Sequence, residues 1–420
     1  MRRNTLLPTA SAMLLVLLGG LTQAQQIKAF DFFPHRQPIS QTPPQPTMNN
    51  PQPLVESNTK FAFKLWQEIL HQEVGKNVFV SPSSIAFALG MAYNGAGGKT
   101  QQAMAESLEL VGMTTAEINQ AYQSLQTSLE KADPEVTLSI ANSLWAREGF
   151  PLERDFLATN QEFFDARVSQ LDFGDPQSPE VINDWVREQT NGKIGEIVDS
   201  LKPADVLFLI NAIYFKGNWQ NKFDENLTTE KPFYLTDGTT KEHPMMFQRN
   251  EYRYLETEEF QAVSLPYGEG NLSMYIFLPR AESNLDDFYQ QLDFENWQTW
   301  MARFRRRDGV MELPRFKLEY DIKLSETLKA LGMGEMFSRA TADFSKMTPA
   351  KVAVDEVKHK TFVEVNEEGT EAAAVTSIGI RATSIPAPPF EMKVDRPFFC
   401  VIRDNQTGTI LFMGSILEPK

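Results

Sequence analysis

Ten consecutive residues, Val206 to Phe215, are apolar except for Asn211 in their middle. A run this short and this apolar suits a central strand buried on both faces, so the fold needs a layer above and a layer below that strand. From Val55 onward, helix and strand signals alternate around it with no second low-complexity break and no internal repeat. Phe61, Leu65 and Ile69 recur at helical spacing behind the cap candidates Ser57 and Asn58. Ser81-Pro82-Ser83-Ser84 opens an apolar helix from Ile85 to Tyr93, and Thr114 with Glu117 forms a capping box before Ile118, Tyr122, Leu125 and Leu129. Ser178-Pro179 opens another helix. Val136, Leu138, Ile140 and Leu144 alternate as a strand does. A helical stretch is expected from Leu285 to Phe304 and a shorter helix ending at Gly332. Strands are expected at Val352 to Val365, Pro397 to Ile402 and Ile410 to Ile416. Runs of strands mixed with runs of helices predict an α+β fold rather than regular βαβ alternation.

The N-terminus reads differently. Met1-Arg2-Arg3, an apolar run from Ala12 to Leu21 and small residues up to Ala24 have the order of a signal peptide over residues 1–24. The expectation is a secreted protein, extracellular or periplasmic, with no membrane span. Residues 34–53 hold seven prolines among Gln, Thr and Asn (Pro34, Pro38, Pro43, Pro44, Pro46, Pro51 and Pro53), which predicts a disordered tether over 25–54 and a folded body over 55–420.

Composition then removes whole classes of function. One cysteine excludes an intrachain disulfide framework, and four histidines, none at ligand spacing, argue against a metal site. No cofactor is expected. A net charge of −15 makes the chain a poor partner for nucleic acid. Cys400, inside Phe398-Phe399-Cys400-Val401-Ile402, reads as a small buried hydrophobe. Gly97-Gly98-Lys99-Thr100 lacks the glycine that would open a phosphate loop, because Tyr93 stands there, and reads as a glycine-rich helix end. There is no Gly-x-Ser-x-Gly elbow, so a hydrolase has no nucleophile motif to rest on. Arg303, Arg305, Arg306 and Arg307 form the one basic cluster, either a site for a sulfated polysaccharide or a solvated helix end.

The informative segment runs from Glu367 to Ser384. Split by strand alternation, one face holds Thr370, Ala372, Ala374, Thr376, Ile378 and Ile380. The other holds Glu371, Ala373, Val375, Ser377, Gly379 and Arg381. A loop that ends in Pro386, Pro388 and Pro389 thus carries the pattern of a half-buried strand, with small residues where it would enter a sheet.

Four motifs in order resemble the serpins, a family of serine protease inhibitors. The hinge Glu367-Glu368-Gly369-Thr370-Glu371-Ala372-Ala373-Ala374 is similar to that of inhibitory members. Asn77-Val78-Phe79-Val80-Ser81-Pro82-Ser83-Ser84-Ile85 resembles the family's second helix, and Asn211-Ala212-Ile213-Tyr214-Phe215-Lys216-Gly217-Asn218-Trp219 its central strand. Asp395-Arg396-Pro397-Phe398-Phe399 with Phe412-Met413-Gly414 resembles its C-terminal signature.

The resemblance covers Val55 to Pro419 and implies a single domain with three sheets, about nine helices and a reactive loop near 367–389 that inserts into the main sheet. It further implies a shutter of Ser81, Ser84, Asn211 and His359, and a breach of Trp219, Arg315 and Glu367. Read locally, Ser81 and Ser84 are equally plain helix caps, Asn211 a satisfied core amide, His359 a surface histidine, Trp219 a turn aromatic, and Arg315 and Glu367 unlinked charges. Family loop length puts the scissile bond at Thr383-Ser384, which implies an elastase-like or subtilisin-like target. Arg381-Ala382 is the alternative and implies a trypsin-like one. The implied partner is a serine protease, with cysteine proteases as a second class, and the implied state is a monomer. A non-inhibitory carrier, chaperone or storage role is the competing reading.

Overall fold

The computed structural model describes residues 51–370 and 388–420. The signal and tether segments before Pro51, and the scissile-bond candidates at 381–384 with hinge residues Glu371 to Ala374, lie outside the described residues. Among the described residues there are nine α-helices and three β-sheets, the α+β architecture expected.

The sheet that positions the site has four strands, in the order Gly369–Thr370, Leu207–Asn218, Val136–Arg147 and Arg167–Leu171. Leu207–Asn218 is the apolar run read from sequence, and both its faces are covered. Leu207, Leu209, Ile213 and Phe215 enter the main core. Phe208, Ile210 and Ala212 pack on the opposite face in a second core with Trp145, Trp185 and Val186, roofed by the helix Ser178–Gln189.

Phe316–Lys323 and Lys358–Val365 pair antiparallel as a separate two-stranded sheet. Among the described residues this sheet joins the first by one isolated parallel bridge, Leu209 to Val357. Beyond that bridge and the Gly369–Thr370 rungs, no further ladder is made on this edge of Leu207–Asn218 among the described residues. The nine-stranded sheet includes the C-terminal hairpin Phe398–Asp404 and Ile410–Ile416, bonded on one side to Val78–Val80 and on the other to Leu272–Pro279. Helix Pro82–Gly95, buried along its whole length, packs against both Leu207–Asn218 and Ile410–Ile416.

Several local expectations shift. The first helix spans Gln52–Gln72, starting three residues before the expected body because Pro53 fits a first turn. Ser57 and Asn58 are therefore interior rather than caps; Ser57 Oγ donates to the Glu109 carbonyl at 2.7 Å. The helical stretch after Leu285 is two helices, Leu285–Tyr289 and Phe294–Arg303, followed by the strand Arg305–Pro314. Only Arg303 of the basic cluster ends a helix. The strand expected from Val352 begins at Lys358. Gly97 starts the helix Gly98–Ser107 rather than ending one, and the Asp343 carboxylate lies 3.0 Å from where a Cβ on Gly97 would be. That carboxylate bars a phosphate by charge.

Candidate functional site

The strand Lys358–Val365 runs up to Asn366, and there the chain is fixed by a dense set of contacts. The Trp219 amide donates to the Glu368 carbonyl at 2.9 Å and the Phe223 amide to the Glu367 carbonyl at 2.9 Å. The Trp219 indole Nε1 donates to the Asn366 carbonyl at 2.8 Å. Its ring stacks on Tyr267 with centroids 4.5 Å apart and planes 12° off parallel. Trp219 thus holds the backbone at Asn366 and Glu368.

Arg315 and Glu367, separated by 52 positions, are paired. Arg315 Nε donates to Glu367 Oε1 at 2.7 Å and to Oε2 at 2.8 Å, and Nη2 lies 2.6 Å from Oε1. The Glu367 side chain is 3% exposed and that of Arg315 43% exposed, so the carboxylate depends on this partner far more than the guanidinium does. Thr228 Oγ1 also donates to Glu367, and His243 Nε2 sits 2.6 Å from the Arg315 carbonyl. Thr228, Tyr267 and His243 are far away in sequence and carry no local signal of this role. Removing the cation leaves a buried charge unpaired, so Arg315→Ala is expected to cost about 3 kcal/mol or more in thermal unfolding. Arg315→Lys, which cannot reproduce the two-pronged geometry, should recover part of that loss.

Gly369 shows why the hinge sequence is constrained. Its φ is +133°, and a Cβ there would lie 2.4 Å from the Gly217 carbonyl oxygen and 2.6 Å from Trp219 N. Only glycine fits both the conformation and the space. From this point Gly369 and Thr370 pair antiparallel with Asn218 and Gly217.

Two of the residues expected to form a shutter, Ser81 and Ser84, stand where helix Pro82–Gly95 begins. The Ser81 amide donates to His359 Nε2 at 3.0 Å, and the Ser84 amide to Ser81 Oγ at 3.3 Å. Ser81 is therefore both a helix cap and a tertiary contact. Asn211 Nδ2 donates to Asn142 Oδ1 at 2.7 Å, and Asn142 Nδ2 to the Phe164 carbonyl at 3.2 Å. Asn142 was missed from sequence, although it is a lone amide in an otherwise largely apolar strand and stands directly opposite Asn211. Asn211 Oδ1 and Ser84 Oγ are buried with no hydrogen-bond partner. His359 is 2% exposed, so it is no surface histidine.

Burial pushes the His359 imidazole down from 6.5 to about 3. The native ring stays neutral, as an acceptor of the Ser81 amide must be, while the unfolded chain takes up a proton near its ordinary value. Stability contributed by this site is therefore complete above pH 6.5 or so. It falls by about 1.4 kcal/mol per pH unit as pH drops from there toward about 3. Urea unfolding at about pH 7 and about pH 5 reads this slope. His359→Gln should flatten it, and an unchanged slope would contradict the assignment.

The basic cluster is largely occupied. Arg306 Nη1 lies 2.8 Å from Glu251 Oε1, and Arg307 Nη1 lies 3.2 Å from Glu256 Oε2. Arg305 Nη1 donates to the Ala302 and Phe304 carbonyls. Arg306 faces Arg253 across the strand pair, and Asp308 faces Glu251. The signs are interleaved there, which weakens a polyanion reading.

Comparison with known proteins shows the family and the fold. The family model described as serpin (serine protease inhibitor) matches residues 56–419. The leukocyte elastase inhibitor of Bos taurus is 38% identical over 383 residues, covering 87% of this chain and 99% of that protein. Among solved structures, the native state of a thermophilic serpin, tengpin, aligns with a TM-score of 0.79 at 30% identity, covering 87% of this chain and 94% of that one. Thyroxine-binding globulin in complex with thyroxine aligns with a TM-score of 0.80 at 28% identity, over 87% and 99% of the two chains.

Proposed function

The chain belongs to the serpin family of protease inhibitors, and on that premise we propose that it traps serine proteases irreversibly by inserting its cleaved loop between Leu207–Asn218 and Lys358–Val365. The observation that carries this is the pair of rungs already made by Gly369 and Thr370 with Asn218 and Gly217, on an edge that, among the described residues, meets Lys358–Val365 and its approach through one isolated bridge. Continuing that register places Ala372 opposite Phe215, Ala374 opposite Ile213, Thr376 opposite Asn211, Ile378 opposite Leu209 and Ile380 opposite Leu207. Directly opposed residues share a face, and this is the face that enters the main core. It is also the face that strand alternation singles out in the sequence. Thr376 arrives at the level of Asn211, whose Oδ1 lacks a donor. In the other row, Ala373, Val375, Ser377 and Gly379 are small enough to lie under the helix Ser178–Gln189, with the charged Glu371 and Arg381 at the two ends of the row.

The target's serine would attack the scissile carbonyl and form an acyl enzyme. Cleavage frees the loop, and each inserted backbone group gains ladder partners. Thr370 to Thr383 at ~3.4 Å per residue carries the acyl group roughly 48 Å. The enzyme would be distorted there before water completes hydrolysis. The same account needs a native state that holds stored conformational energy. Prolines, bulky side chains and charges are absent from Thr370, Ala372 and Ala374, which favours inhibition over a carrier role.

We further propose secretion, from the signal-like residues 1–24, and an elastase-like or subtilisin-like target, from the small residues Thr383 and Ser384. Incubation with elastase and with trypsin, followed by N-terminal sequencing of the released C-terminal peptide, tests the target class. A start at Ser384 is expected; a start at Ala382 would move the specificity to Arg381.

A further inference from the structure

The rungs made by Gly369 and Thr370 are only as well placed as their partners, Asn218 and Gly217. One residue backs both partners. Asp133 stands just before the strand Val136–Arg147 and is 4% exposed. Its carbonyl accepts from the Val136 amide at 3.2 Å, and Val136 faces Gly217 across the sheet. Its carboxylate serves the other partner. Oδ1 accepts from the Glu135 amide at 3.0 Å, while Oδ2 accepts from the Glu269 amide at 2.9 Å and the Asn271 amide at 3.4 Å. Those last two amides belong to the turn between the strands Phe260–Tyr267 and Leu272–Pro279. In the same turn the Gly268 amide donates to the Asn218 carbonyl at 2.9 Å. Turn and carboxylate are closely fitted: Gly268 has a φ of +49°, and a Cβ there would lie 2.4 Å from Asp133 Oδ1. Tyr267, which opens the turn, is the ring stacked on Trp219. Hydrogen bonds to an ionised acceptor are about twice as strong as neutral ones, so a buried carboxylate is a firm anchor for this turn.

We propose that Asp133 is a positioning residue for loop insertion. By holding the Gly268–Asn271 turn against the start of Val136–Arg147, it fixes Asn218 and Gly217, and with them the register in which the loop enters. This inference rests on the trapping mechanism proposed above. Register matters because side chains alternate along a strand. A slip of one residue would turn Glu371, Ala373 and Val375 toward the main core in place of Thr370, Ala372 and Ala374. A loop that enters out of register delays the trap, and hydrolysis of the acyl enzyme gains by the delay.

The test is the stoichiometry of inhibition, the moles of inhibitor consumed per mole of elastase inactivated, measured beside the rate of loop cleavage. Asp133→Ala should raise the stoichiometry about fivefold or more and leave the cleavage rate unchanged, because it leaves the bait sequence as it is. Asp133→Asn keeps one accepting oxygen and should fall between. Gly268→Ala displaces the same carboxylate from the side of the turn; it should raise the stoichiometry too, and its effect should not add to that of Asp133→Ala. Thr114→Ala removes the cap of the helix Thr115–Glu130; it should lower the melting temperature without moving the stoichiometry. Thermal unfolding verifies each fold, and if Asp133→Ala does not fold, Asp133→Asn and Gly268→Ala decide. Unchanged stoichiometry in the folded Asp133 and Gly268 variants, or an equal rise in Thr114→Ala, would overturn this assignment alone. A parent chain that elastase cleaves with no covalent adduct would overturn the trapping reading and this assignment with it.

Discussion

Thr370→Arg is expected to turn the inhibitor into a substrate. Thr370 occupies the rung opposite Gly217, and residues directly opposed across an antiparallel pair share a face. That face is crowded: a Cβ on Gly217 would lie 3.0 Å from the Tyr267 ring and 3.1 Å from that of Phe215. A guanidinium carried into such a site costs several kcal/mol unless it finds a carboxylate. On the proposed mechanism insertion proceeds from this rung, which is already made before cleavage, so only the part of the penalty that arises when the rung is enclosed on both sides falls on the step that competes with deacylation. Each 1.4 kcal/mol on that step shifts the partition about tenfold toward plain hydrolysis. The expected result is complete loop cleavage by elastase with covalent adduct reduced at least about tenfold, and, because this rung exists before cleavage, an uncleaved variant that unfolds somewhat earlier than the parent. Undiminished adduct would count against entry at this rung.

Cleavage itself should stabilise the protein. An inserted strand of 14 residues finds ladder partners on both sides, and a typical hydrogen bond nets about 1 kcal/mol, so the gain is on the order of 10 kcal/mol. In a domain this large each kcal/mol moves the midpoint by about 2 °C, giving a rise of about 20 °C. Calorimetry before and after limited cleavage measures it. A rise of only a few degrees would mean that the loop stays outside the sheet. Among the described residues a single bridge, Leu209 to Val357, joins these two edges, so on the proposed mechanism insertion would break little ladder for what it forms.

The sequence made some of this legible and hid the rest for identifiable reasons. The Val206 to Phe215 run announced a strand covered on both faces, because burial on two sides removes alternation, and the structure has one core on each side of it. Its lone Asn211 marked a buried polar site for the same reason. The pairing of Arg315 with Glu367 followed from family resemblance alone; no periodicity links positions on two different strands. Thr228, Tyr267 and His243 were invisible because their roles come from tertiary packing around the hinge. The reading of Ser57 and Asn58 as caps failed through turn chemistry: Pro51 and Pro53 suit a helix start, which composition presents as tether. The basic cluster looked cationic in one dimension, and strand pairing set Glu251 and Glu256 beside it.

The central claim is that cleavage and trapping are one event. The most direct measurement is a denaturing gel of the full chain mixed with elastase at equal concentration. A band at the summed mass of the two proteins less the C-terminal peptide released by cleavage, stable to boiling and lost on alkaline hydrolysis of the ester, is the predicted result. Quantitative cleavage near Thr383 with free, active elastase and no such band would contradict it.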